Sequence, residues 1–237
     1  MNLLINLPTR SRPQKCLEIL DKYQSLSTYE NTRYVISCDE DDETMNNYEM
    51  VKLIGHKKNT QMVFNENKIN IINPENGGVE KSKFTTKIQA INSGVKRQKF
   101  DICLLASDDM HPEVKGYDLD IVENMKKFFP DTDGVLWYND GYQGDKLNTL
   151  CILGKKYYDR FGYIYHPSYI TLYCDDEFTR VSKALNKCQY IDKTIIRHKH
   201  WSHKDNNYSR DSLDQKNDVF AGFDEQTFNT RKLKNFP

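Results

Sequence analysis

The stretch "DICLLASDDM", residues 101–110, places two adjacent acids, Asp108 and Asp109, directly after an apolar run that reads as a buried strand. Two like charges side by side are tolerated where a hard divalent cation sits beside them, and Mg²⁺ typically takes one or two carboxylates together with phosphate oxygens of a substrate. In open α/β sheets ligands sit outside the carboxyl ends of the strands, which is where this pair falls. The pair therefore points to a nucleotide diphosphate bound with its metal. A local reading competes with it, since Asp is favoured at caps and turns and either acid could cap the segment entering "HPEVKG".

Outward from this strand, short apolar runs alternate with stretches of helical period, the pattern of α/β layers. "NLLINL" predicts a first strand. In "RPQKCLEILDKYQSLS" the residues Cys16, Ile19, Leu20 and Tyr23 share one helical face, with Pro13 suited to the first turn. "RYVISC" predicts a second strand and "KINIIN" a third, followed by a helix from near Ser82 with Phe84, Ile88, Ile91 and Val95 on one face. After the acid pair come a helix in "YDLDIVENMKKFF", a turn in "PDTDG" and a strand in "VLWYND". The second half is more mixed: strand-like "TLCILG", an aromatic block "YYDRFGYIYHPSYITLY", a helix in "DDEFTRVSKAL" and a strand in "KTIIRHKHW". From Ser202 to Lys216 the chain is polar and predicts a mobile loop or tail segment, after which Val219, Phe220, Phe223 and Phe228 suit a final helix packing back.

The 237 residues suit one compact domain. Its 34 basic and 34 acidic side chains cancel, so no global field favours nucleic acid or an anionic membrane. The opening apolar run meets Pro8 and Arg10 too soon for a signal peptide or membrane span, and no later run is long enough, so a soluble, cytoplasmic protein is expected. The 6 cysteines are scattered with no CxxC pair, as expected of small core residues in a reducing compartment.

Other polar groups fall at strand ends. "VISCDEDDE" gathers acids of which Asp39, the first, is placed to accept a hydrogen bond from a base or ribose edge; the rest of the run reads as a solvated loop. "LPTRSRP" follows the first strand with Arg10 and Arg12, planar donors that suit phosphate or a nucleobase face, or simply two surface arginines. "YCDDEFTRV" puts Asp175, Asp176 and Glu177 at a helix start, where an acid caps the helix or faces a cleft as general base. "IIRHKHWSH" sets His198 and His200 on one side of an extended chain, able to share a site.

Taken in order, "LPTRSRP", "CDEDD", "KIQAIN", "ICLLASDDM", "YCDDEF" and "RHKHW" resemble the GT-A-fold glycosyltransferases, particularly the family 2-like enzymes, over residues 2–201. The resemblance implies an α/β fold, a Rossmann-like mixed sheet flanked by helices in a single domain. A glycosyltransferase domain would span 1–201, with a nucleotide-sugar half over 1–112 and an acceptor half over 113–201, and residues 202–237 would form a polar loop and a segment packing on the same domain. "SDDM" matches the family's acidic metal motif in variant form, which implies Asp109 as ligand of Mn²⁺ or Mg²⁺ and Asp108 at the ribose. Asp39 matches the acid that recognises the donor base, Pro8, Thr9 and Arg10 the loop that wraps it, and Lys87 and Asn92 the helix across the nucleotide. The general base is implied among Asp175, Asp176 and Glu177; Asp175 fits the register best, although Cys174 stands where an acid usually precedes it. His198 or His200 would complete the metal site.

Such a constellation implies transfer of a sugar from a nucleotide-diphosphate donor to a glycan or other hydroxyl acceptor with inversion at the anomeric carbon. Trp137 and Tyr138 could stack on a sugar ring and Asp140 bond its hydroxyls, or the aromatic pair could pack on the core. A nucleotidyltransferase is the competing enzyme class, but "LPTRSRP" lacks the glycines of its usual phosphate loop. A non-catalytic sugar-nucleotide or glycan-binding module is the third reading. The lack of a membrane segment argues against a processive polysaccharide synthase and leaves peripheral membrane attachment open.

Overall fold

A computed structural model describes residues 1–65, 69–72, 79–82, 86–200, 202 and 210–236. In chain order the elements are β1 (Leu3–Thr9), α1 (Pro13–Leu26), β2 (Thr32–Asp39), α2 (Tyr48–Gly55), β3 (Thr60–Asn65), β4 (Ile69–Ile72), β5 (Val79–Ser82), α3 (Lys87–Val95), β6 (Ile102–Leu105) and β7 (Met110–Pro112). They continue with α4 (Tyr117–Phe128), β8 (Val135–Tyr138), β9 (Ile152–Gly154), α5 (Lys155–Asp159), α6 (Cys174–Ala184), β10 (Cys188–Ile191), β11 (Ile196–His198), α7 (Ser212–Asp218) and α8 (Ala221–Leu233).

The main sheet has seven strands in the order β10-β8-β9-β6-β1-β2-β3. It is mixed, because β9 runs antiparallel to both β6 and β8 while β1 pairs parallel with β2 and β6. Period-two alternation divides its faces between two apolar layers. Leu3, Ile5, Leu7, Ile36 and Leu104 face α1 and α4, which contribute Ile19, Leu20, Ile121 and Val122. Leu4, Val35, Cys103 and Leu153 face the other way, onto Ile88 and Ile91 of α3, Phe178 of α6 and Phe228 of α8. The mixed sheet between helical layers is the single-domain GT-A-like arrangement expected from the sequence.

On the α3 face the sheet also grips its helix through polar groups. Asn6 donates to the Ile91 carbonyl at 2.9 Å, Ser37 donates to that of Ala90 at 2.9 Å, and Asn65 donates to the Ser37 hydroxyl at 3.0 Å. Gly94 permits this close approach, because a Cβ there would stand 2.3 Å from the Asn6 side-chain oxygen. The outcome is a fixed α3, whose amino-terminal residue is Lys87.

Several local expectations are corrected. "KINIIN" supplies β4, but among the described residues β4 pairs with β5 in a separate two-stranded sheet, and the strand beside β2 is β3, whose half-exposed sequence "TQMVFN" carries no clean alternation. The helix expected from Ser82 begins at Lys87, where Thr86 and Gln89 form a capping box; Phe84 lies outside the described residues. Within the stretch 202–216, residues 203–209 lie outside the described residues, yet the end of that stretch is helical in α7, capped by Asp211. Asp42, expected in a solvated loop, is buried and accepts from the Ser11 and Thr44 backbones and the Thr44 hydroxyl.

Candidate active site

A cleft of about 430 Å³ opens at the carboxyl ends of β1, β2 and β6 and is closed on its far side by the start of α6 and by α7. It brings together Pro8, Thr9, Arg10, Arg12, Asp39, Lys87, Asp108, Asp109, Asp175, His198 and His200, residues spread from one end of the chain to the other.

On one wall, Arg10 and Arg12 follow β1. The Arg10 guanidinium meets Asp39 at 2.5 Å and Asp41 at 2.7 Å, so the buried Asp39 carboxylate is paired at the cleft edge. Arg12 is more heavily engaged. It donates to both Asp108 oxygens at 3.1 and 3.2 Å, to both Asp211 oxygens at 2.9 and 2.7 Å, and to Asp214 at 2.8 Å. Burial raises the Asp108 carboxyl above its ordinary pKa and the Arg12 charge pulls it back. Arg12 thereby ties the floor of the cleft to the amino-terminal turn of α7.

At the floor, the loop after β6 presents Asp109. Antiparallel pairing of β7 with β11 sets His198 opposite Met110, and the Lys199 N–H donates to the Asp109 carbonyl at 2.7 Å. Nε2 of His198 lies 3.4 Å from Asp109 Oδ2, and Nδ1 lies 3.9 Å from Asp140 Oδ2. Burial disfavours the charged imidazolium, but the carboxylates of Asp109 and Asp140 on its two sides prevail and lift the His198 pKa to about 9. Burial likewise opposes ionisation of Asp109, yet the His198 hydrogen bond and charge, with the Ser107 hydroxyl, hold its carboxyl well below the usual range. His200 sits beside His198, ring centroids 5.6 Å apart, with Nδ1 2.8 Å from the Ser202 hydroxyl.

One carboxylate and one imidazole, which must give up its Nε2 proton to the incoming cation, form a donor set that can take Mn²⁺ or Mg²⁺ when substrate oxygens fill the remaining positions. Among the described residues no group of three or more His, Cys, Asp or Glu side chains could enclose a metal ion. The residues therefore fit an ion shared with a diphosphate better than a closed structural site.

Of the three acids at the start of α6, the cleft reaches Asp175. Burial raises its pKa, the neighbouring Asp176 adds to the effect and Lys87 across the cleft moderates it. Glu177 is buried on another side, where it accepts from Arg231 at 2.8 Å through both oxygens and from the Tyr169 hydroxyl at 2.7 Å. Asp176 is half-buried and does not line the cleft.

Four other residues singled out in the sequence lie away from the cleft. β8 continues the alternation of the sheet, so Trp137 turns to α6, with the Lys183 ammonium 4.4 Å above its ring, and Tyr138 turns to α4, bonding Asp120 at 2.7 Å. Asp140 is buried, bonded by the Tyr142 and Gln143 N–H groups and the Thr149 hydroxyl; it acts on the cleft through His198. Asn92 holds the chain at Ile164 and Tyr165 through three hydrogen bonds. Conversely, Leu213, Asp214, Asn217 and Phe220 line the cleft, whereas the sequence pattern places Phe220 only in a helix packing back and does not single out the other three.

The fold is similar to S. aureus TarS residues 1–349, with a TM-score of 0.60 and 14% identity over 83% of this chain and 60% of that one; the same TarS fragment is known in complex with UDP. It is also similar to the mannosyltransferase PcManGT from Pyrobaculum calidifontis in complex with GDP-Man and Mn²⁺, with a TM-score of 0.56 and 13% identity over 81% of this chain and 55% of that one. The chain thus spans about 60% or less of these proteins' lengths. At this identity the likeness is one of fold. No family model matches the chain, and no curated protein does. Among the described residues no helix is long and apolar enough to cross a membrane.

Proposed function

We propose that this protein is a metal-dependent inverting glycosyltransferase that moves a sugar from a nucleotide-diphosphate donor to a hydroxyl acceptor. The observation that carries the proposal is that the Asp109–His198 pair and Asp175 face one cleft at the carboxyl ends of the central strands. The likeness to TarS with UDP and to a mannosyltransferase with GDP-Man and Mn²⁺ supports it.

In this reading the donor lies along the wall built by the first 112 residues. Asp39, steadied by Arg10, accepts from the base; Asp108, oriented by Arg12, meets the ribose; Lys87 faces the diphosphate. Asp109 and His198 would hold Mn²⁺ or Mg²⁺, which when bound offsets charge on the departing diphosphate. The acceptor enters beside Leu147, Leu172 and Phe220, apolar residues that share the cleft lining with Asp175. Its hydroxyl oxygen attacks the anomeric carbon as the bond from that carbon to the diphosphate oxygen breaks, and Asp175 takes the hydroxyl proton. A carboxylate whose pKa burial has raised is a better proton acceptor than a solvated one. The resulting glycoside has the opposite anomeric configuration.

The test is to incubate the protein with UDP- and GDP-sugars, Mn²⁺ and simple glycoside acceptors and follow the anomeric protons by NMR. Inverted product or inverted hydrolysed sugar supports the proposal. Retained configuration contradicts the inverting mechanism, and pyrophosphate release from nucleoside triphosphates would replace transferase with nucleotidyltransferase.

A further inference from the structure

The helix α8 carries a fully buried carboxylate, Asp224, beneath the loop that leads into α6. Its Oδ1 accepts the Ile170 N–H at 2.8 Å, and its Oδ2 accepts the N–H groups of Thr171 and Leu172, each at 2.8 Å, with the Thr171 hydroxyl at 3.3 Å. From the opposite side the Ile88 N–H of α3 donates to the Ile170 carbonyl at 3.3 Å. The next residue, Tyr173, has φ 60° and ψ −7°, a left-handed conformation that a bulky side chain adopts only under constraint. Asp175 stands two residues further on.

Helix α8 grips α6 at a second point, through the two-pronged pairing of Arg231 with Glu177. The helix thus holds the loop before Asp175 and the helical turn after it. Charge-assisted bonds to three successive backbone N–H groups are strong and directional, and an acceptor-only group is required to make them all. An amide in place of the carboxylate would turn an NH₂ toward at least one of those N–H donors and leave it unpaired.

We infer that Asp224, with Arg231 as its second anchor, is a positioning residue: it fixes the 170–172 loop and the turn at Tyr173 so that the Asp175 carboxylate points into the cleft. This rests on the reading of Asp175 as general base. It assigns the carboxyl-terminal helix a part in turnover and none in holding the nucleotide, because the donor wall belongs to β1, β2, α3 and the β6 loop.

The experiment compares Asp224→Asn with wild type in Mn²⁺-dependent hydrolysis of UDP- and GDP-sugars, and in binding of UDP and GDP by calorimetry. The expected result is a kcat lowered about 10- to 100-fold with nucleotide Kd within about threefold of wild type. A kcat within twofold of wild type, or a Kd that weakens in step with kcat, overturns the inference. If Asp224→Asn does not fold, Arg231→Lys, which keeps the charge and loses the fork, is read in the same two assays: a lowered kcat at constant Kd supports positioning and an unchanged kcat overturns it. Should wild type bind no nucleotide and hydrolyse no donor, the transferase reading fails separately. The positioning claim is then read by hydrogen exchange, with exchange at 170–175 in Asp224→Asn or Arg231→Lys at least tenfold faster than wild type while β1 and β6 are unchanged; equal rates at 170–175 overturn it.

Discussion

His198 and Asp109 face each other with Nε2 and Oδ2 3.4 Å apart, although 88 residues separate them and the histidine stands on a strand of three residues. The β7–β11 pairing makes the meeting obligatory, since His198 sits opposite Met110 in its register. His200, two residues on, instead has its ring nitrogen against Ser202. His198→Ala is therefore expected to weaken Mn²⁺-dependent nucleotide binding by at least about 10- to 100-fold, the scale on which even outer partners of a metal site act. His200→Ala should stay within a few-fold of wild type. Calorimetry with UDP and GDP at fixed Mn²⁺ separates the two, and the opposite ranking would exchange their roles.

The acids at the start of α6 should divide by role. Asp175→Asn is expected to lower kcat about 10²- to 10⁴-fold with donor binding intact. Glu177→Gln keeps the shape but not the charge opposite Arg231, so it should lower the melting temperature and, by loosening the second anchor of α8, lower kcat by less than Asp175→Asn does. Should Glu177→Gln abolish turnover at unchanged stability while Asp175→Asn remains active, the assignment of the base moves to Glu177.

Arg12 links the cleft floor at Asp108 to the α7 cap at Asp211, and its side chain is 15% exposed. Removing one partner of a buried ion pair costs about 3–5 kcal/mol; here Asp211 keeps its Lys15 partner at 3.2 Å, so the cost falls chiefly on the buried Asp108 and lies at the low end of that range. Arg12→Ala should show a loss of that order in urea unfolding. A loss below about 1 kcal/mol would mean that the cluster is solvated in solution.

Much of this was legible in the sequence and some was not, for physical reasons. The acid pair at 108–109, the strands at Leu3 and Thr32, the α1 face and both histidines follow from apolar periodicity and from polar residues placed at strand ends. Strand β3 was hidden because an edge strand with half-exposed residues need not alternate. Trp137 and Tyr138 pointed to a sugar only by residue type; the sheet's alternation sends them to opposite helical layers. Asp224 gave no local signal, because its partners lie some 50 residues away and an isolated acid in a polar helix reads as surface; Asp211 and Asp214 cap α7 locally, but their pairing with Arg12 spans about 200 residues.

Acid should destabilise the fold partly through His166. Burial and the nearby Arg231 lower its pKa from 6.5 to about 4, so between these values the unfolded chain binds the proton that the folded one refuses. The contribution of neutral His166 is complete above pH 6.5 and is lost as pH falls toward 4. His166→Asn, which keeps an acceptor for the Ser168 N–H, should flatten this part of the melting curve, with roughly 1 kcal/mol, or about 2–4 °C, less lost over the window after solvent screening. Parallel curves for variant and wild type would assign the acid sensitivity elsewhere.

The most direct test of the central claim is the melting temperature of wild type and Asp109→Ala with UDP, GDP and their sugars, in Mn²⁺ and in EDTA. A nucleotide at 100 times its Kd stabilises by about 2.7 kcal/mol, which for a chain of this size raises the midpoint by roughly 5–10 °C. The account predicts that rise for one base, with Mn²⁺, in wild type, and its loss in EDTA or in Asp109→Ala. No rise with any nucleotide under either metal condition, or an equal rise in Asp109→Ala, would contradict it.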